Sequence, residues 1–130
     1  MTTKYLFLVI LVVVATCYFV TGCYYDTTVI PDAPEITGEV TFSKDIIPIF
    51  NSSCNVSGCH SPGGKSPDLS SISAYNSLIN GNYINTGVPA ESELYLWMAG
   101  KKSTPMPVSG INASYNATIL AWIKQGALNN

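Results

Sequence analysis

The sequence predicts a small all-α fold of three to four short helices joined by long loops. Apolar residues recur at helical spacing in four stretches, and the segments between these are rich in Ser, Asn, Gly and Pro. No stretch alternates apolar with polar residues for more than a few positions, as a half-buried strand would. The 47% hydrophobic content averages two unlike parts, because the first 22 residues hold 16 of the hydrophobic side chains. The remaining 108 residues carry 5 lysines, no arginine and 8 acidic side chains, a formal charge of −3, and have room for one small domain. An acidic chain without arginine lacks the clustered cations that phosphate contacts need, which excludes a nucleic-acid partner. The absence of a glycine triplet period and of sustained heptads excludes collagen-like and coiled-coil classes.

Residues 5–20 form an uninterrupted run without a charge, preceded by Lys4 and followed by the small pair Thr21 and Gly22. That is the layout of a secretory signal over 1–22, and the run is short against the roughly 20 residues that a membrane-spanning helix needs. Val20-Thr21-Gly22-Cys23 resembles the bacterial lipobox, where the signal is cleaved before a cysteine whose thiol has been acylated. The resemblance implies lipidation at Cys23, with two or three acyl chains giving the firm hold that a single chain does not. Tyr24 is not the Asp that retains many such lipoproteins at the inner membrane. The expected location is therefore the cell envelope, at the outer membrane, facing the periplasm or the cell surface. Residues 23–39, with two prolines, four acids and no periodic apolar pattern, read as a flexible tether, leaving 40–130 as the domain.

The first helix is expected over 43–50, with Ser43 as N-cap, Asp45 favourably placed in the first turn, and Pro48 limiting its regularity. The second, over 71–79, spaces Ile72, Tyr75, Leu78 and Ile79 helically and stops at Gly81. A third starts at Pro89, a favoured first position, and carries Leu94, Tyr95, Trp97 and Met98 up to Gly100. The fourth is the clearest. Tyr115, Ile119, Trp122 and Ile123 fall on one face, Asn112 or Ser114 caps it, Lys124 lies in its last turn, and Gly126 ends it. So few short helices make a marginal core, and something further is expected to fill or staple it.

Ligating residues cluster only in Cys54-Asn55-Val56-Ser57-Gly58-Cys59-His60, which contains the chain's single histidine. In covalent haem attachment two thiols add to the porphyrin vinyl groups, and the histidine after the second cysteine reaches the iron; the usual spacing is Cys-x-x-Cys-His. Here four residues separate the cysteines, and Ser57 and Gly58 permit a tight turn before Cys59. The same residues admit a plain disulfide between Cys54 and Cys59 in an oxidising compartment, with His60 an incidental neighbour. A zinc site would need a carboxylate such as Asp68 to complete it. The sequons at Asn51, Asn55, Asn112 and Asn116 would matter only on a eukaryotic secretory route, against which the lipobox argues.

The stretch FSKDIIPIFNSSCNVSGCH, the segment Thr104-Pro105-Met106-Pro107 and the ending ILAWIKQGALNN together resemble the small class I cytochrome c-like domain of bacterial envelope lipoproteins, over residues 41–129. The resemblance implies helices wrapped around one covalent haem c, thioethers at Cys54 and Cys59, His60 as proximal iron ligand and Met106 as distal ligand. It implies one-electron transfer with redox partner proteins rather than catalysis. Met98 competes with Met106 for the distal position, but lies in a helix beside Leu94 and Trp97, where methionine is usually core filler. Met106 sits between two prolines that hold its backbone. Tyr75, Tyr95, Trp97 and Trp122 are walls of the crevice or ordinary core, and Lys101 and Lys102 are a solvated pair or a steering charge for an acidic partner.

Overall fold

The computed structural model describes residues 35–130; the expected signal over 1–22, Cys23 and most of the tether lie outside the described residues. Every regular element among the described residues is a helix: a π-helical turn Phe42–Ile46, α1 Ile47–Ser53, α2 Ala74–Asn80, a 3₁₀ turn Pro89–Glu91, α3 Glu93–Met98 and α4 Ala113–Lys124. None of them is long and apolar enough to cross a membrane.

The first helical segment differs at its start from the sequence expectation. Thr41, not Ser43, is the N-cap: its hydroxyl accepts from the Lys44 N–H at 3.3 Å, and Asp45 Oδ2 accepts in return from the Thr41 N–H at 2.7 Å and hydroxyl at 3.0 Å. This reciprocal pair satisfies the orphan amides as a capping box does. Pro48 stands in the first turn of α1 and has no N–H to return to Lys44, and the turn before it widens so that Ile47 N–H reaches back five residues to the Phe42 carbonyl.

Three helices end in the same way. After α4 the Ala127 N–H bonds the Trp122 carbonyl and the Gly126 N–H that of Ile123, with Gly126 at φ +98°. This is a Schellman motif, and Gly126 is the stop that the sequence indicates. Gly100 plays the same part after α3, where Lys101 N–H bonds Leu96 and Gly100 N–H bonds Trp97. After α2 the left-handed position falls to Asn82 at φ +56° rather than to the expected Gly81, which stays at φ −83°.

The core is built around Phe42, whose ring lies 5.2 Å from Trp122, 5.3 Å from Tyr75 and 6.3 Å from Phe50, the last two edge-on. Ile46, Leu78, Ile119 and Ile123 close it. Beside this core the two ends of the domain are clasped together. Gln125 accepts from the Val40 N–H and donates to the Gly38 carbonyl, while Asn130 accepts from Phe42 N–H and Ser43 N–H, all between 2.9 and 3.0 Å. The last residues assigned to the tether are thus docked on α4. The other end of α4 is fixed by Asn112, whose Oδ1 caps the Tyr115 N–H at 3.0 Å, and by Asn116, which donates to the Met98 carbonyl at 3.1 Å.

Candidate functional site

A cavity of about 460 Å³ opens between the end of α1, the loop after it, α3 and residues 106–108. That volume lies within the range of small-molecule and cofactor sites, and the walls are mostly apolar. Cys54, Cys59, His60, Met98 and Met106 all line it, together with Leu69, Leu94, Trp97 and Pro107. The structure therefore brings the four expected ligating residues to one cavity, and it adds Met98, which is only 2% exposed and serves the core as well.

Cys54 is delivered by the last turn of α1, where its N–H and that of Asn55 both bond the Phe50 carbonyl at 2.9 and 2.7 Å. The chain then turns at Val56–Cys59, closed by the Cys59 N–H on the Val56 carbonyl at 2.9 Å, with Gly58 at φ +80° where a side chain would be strained. His60 N–H returns to the Cys54 carbonyl at 3.2 Å, so the four intervening residues form one closed loop. Both cysteines are free thiols. Burial, and secondarily the neighbouring Cys59, push the Cys54 thiol up to about 11. It is protonated at neutral pH and correspondingly slow to exchange into a disulfide.

His60 is aimed by its own downstream loop. Nδ1 lies 2.9 Å from the Pro67 carbonyl oxygen and 3.2 Å from that of Lys65. Carbonyl oxygens only accept, so Nδ1 carries a proton, and in the neutral ring Nε2 keeps the lone pair. An imidazole fixed in this tautomer by a backbone carbonyl has the arrangement of a metal-ligating histidine.

Met106 is held by α3. The Trp97 carbonyl at the C-terminal end of that helix, which also accepts from Gly100, accepts the Met106 N–H at 3.1 Å. Trp97 turns its indole N–H to Glu93 Oε1 at 2.8 Å, and Glu93 Oε2 lies 2.9 Å from Lys102 Nζ. Lys102, with a smaller contribution from Trp97, holds the Glu93 carboxyl below its ordinary value. This braces the Trp97 wall. Lys102 is accordingly tied into an ion pair, unlike the free steering charge that the sequence alone allows. Of the four aromatics singled out, only Trp97 lines the cavity; Trp122 belongs to the core, and Tyr75 and Tyr95 pack against that core.

Sequence reasoning missed Glu93, although its spacing of four from Trp97 on a helix was a usable signal, and it missed Leu69, Tyr83 and Pro67, which no motif marks. Asp68, the carboxylate that the zinc alternative names, does not line the cavity. Among the described residues no three His, Cys, Asp or Glu side chains group closely enough to hold an ion. Asp68 instead accepts from the Ser70 N–H at 2.9 Å, and hydrogen bonds from Ser70 and Ser73 keep its carboxyl below the ordinary value. Comparison with known protein families, with curated proteins and with solved structures finds no match.

Proposed function

We propose that this chain is a lipid-anchored, single-haem c-type cytochrome with a cytochrome c-like fold, carrying one electron at a time between redox partner proteins of the bacterial envelope. The observation that carries the reading is the convergence of Cys54, Cys59, His60 and Met106 on one apolar cavity, with the His60 Nδ1–H committed to backbone carbonyls. The donor set fits the group: two thiols in one closed loop, a nitrogen lone pair and a thioether.

Haem c, when bound, supplies reversible one-electron chemistry at iron. Cys54 and Cys59 would hold it through thioethers, each thiol adding its S–H across a vinyl group. His60 would bind the iron through Nε2, and its Nδ1–H bonds would raise the basicity of that nitrogen. Met106 would offer its Sδ to the iron, and thioether sulfur favours the ferrous state, which would give a relatively high potential. With His60 and Met106 both as ligands, the site would suit electron transfer rather than substrate chemistry. Leu69, Leu94 and Trp97 would give it an apolar wall.

A pyridine haemochrome spectrum of protein from a host with haem-attachment machinery tests this. Haem is expected to stay on the chain through denaturing electrophoresis and to be lost in the double variant Cys54→Ser, Cys59→Ser. A colourless protein whose mass shows a 54–59 disulfide overturns the reading in favour of a haem-free binding or assembly module. Labelled palmitate is expected in the wild type and not in Cys23→Ala.

A further inference from the structure

The loop after His60 folds back on itself. Gly64 N–H bonds the Ser61 carbonyl at 2.8 Å, Lys65 N–H bonds the Cys59 carbonyl at 2.7 Å, and Leu69 N–H bonds the His60 carbonyl at 2.8 Å. Gly64 passes directly over the Cys59 carbonyl. A Cβ at residue 64 would overlap the Cys59 oxygen and stand 2.9 Å from the Ser61 oxygen, and both obstacles are backbone atoms that cannot swing aside. Its neighbour Gly63 has open space where a Cβ would stand, so the crowding is specific to residue 64.

We infer that Gly64 is a positioning residue for His60: only a residue without a side chain lets the loop pass close enough to Cys59 to bring two carbonyl oxygens onto the imidazole Nδ1–H. Each link is a backbone contact. The pass of Gly64 permits the Lys65 N–H bond to Cys59, that bond places the Lys65 carbonyl 3.2 Å from Nδ1, and the chain continues to the Pro67 carbonyl at 2.9 Å. The same bond grips the Cys59 peptide. The relation between the second cysteine and the histidine is therefore set from downstream as well as by the loop between the cysteines. As a statement about an iron ligand, this rests on the cytochrome reading above.

The test is hydrogen exchange at His60 Nδ1–H, followed by NMR on the full-length, imidazole-¹⁵N-labelled protein, reduced to the ferrous state where haem is bound, in wild type, Gly64→Ala and Gly38→Ala. A Cβ at residue 38 would meet nothing within 4 Å, so Gly38→Ala serves as the neutral comparison. Gly64→Ala is expected to exchange about tenfold faster, the equivalent of one lost hydrogen bond. Its reduction potential is expected to rise as His60 becomes less basic. Gly38→Ala is expected to match the wild type in both. Unchanged exchange and potential in a folded Gly64→Ala protein overturn the inference. Should that variant fail to fold, the wild-type spectrum decides, since a His60 protonated on Nε2 or a freely exchanging Nδ1–H also overturns it. A wild type that carries no haem refutes the functional reading separately, and the exchange measurement, which needs no iron, still judges Gly64.

Discussion

At Met106 the loss of a sulfur and the loss of a side chain are separable. Met106→Ala removes both, and the emptied volume alone can cost about 2–5 kcal/mol. Met106→Leu keeps the apolar volume at a cost under about 1.5 kcal/mol and offers iron nothing to bind. The expected outcome is a folded protein that loses the far-red absorption of ferric iron bound to methionine sulfur, has a lower potential, and admits carbon monoxide to ferrous iron. Met98→Leu is expected to change none of these. The comparison is sharp because both methionines reach the cavity, and a band lost with Met98 instead would reassign the distal ligand. Cys54 gives a second residue-scale expectation, in the chain before haem attachment. Burial raises its thiol from 9.0 to about 11, so the folded state holds the proton more tightly than the unfolded chain. The stability this contributes is complete below 9 and drains away as pH rises through 11. Urea midpoints measured below and at the top of that window should fall further for the wild type than for Cys54→Ala.

The helices are short, so their ends matter more than their middles. Asn112 caps the longest of them, and Asn112→Ala is expected to cost about 1 kcal/mol, read from the shift in denaturant midpoint, whereas Ser114→Ala should be near neutral. Sequence alone does not choose between these two caps, and the hydrogen bond to Tyr115 decides. Periodicity locates α4 and its buried face because twelve residues repeat the pattern often enough to be read. It locates α1 less well. Thr41 and Ser43 are chemically equivalent caps, and the choice follows from Asp45 folding back on Thr41, a tertiary detail that spacing does not encode. The start of the third helix is displaced for a similar reason. Pro89 opens only a 3₁₀ turn, because Ser92 is extended and buried with its hydroxyl on the Asn85 backbone, and α3 begins after it. The candidate ligands are legible because Cys, His and Met are few and chemically distinct. The apolar wall is not, since Leu69 and Tyr83 look like any other core residues until the chain is folded.

For the whole molecule, the cavity and the clasp are built from separate residues. The clasp uses Gly38, Val40, Phe42, Gln125 and Asn130, and none of these lines the cavity. A lipid at Cys23 would therefore reach the domain by way of Gly38 and Val40, which take no part in the ligand wall. The clasp also means that Asn130 lies within hydrogen-bonding distance of Phe42 and Ser43, close to the start of the described chain. The covalent order of the two ends is then a matter of convenience to the fold. A circular permutant that joins Asn130 to Gly38 through a few glycines and opens the exposed turn between Thr86 and Gly87 should retain its helical circular dichroism, and the cysteine–histidine loop should still face the Met106 segment across the cavity although it now follows it in sequence.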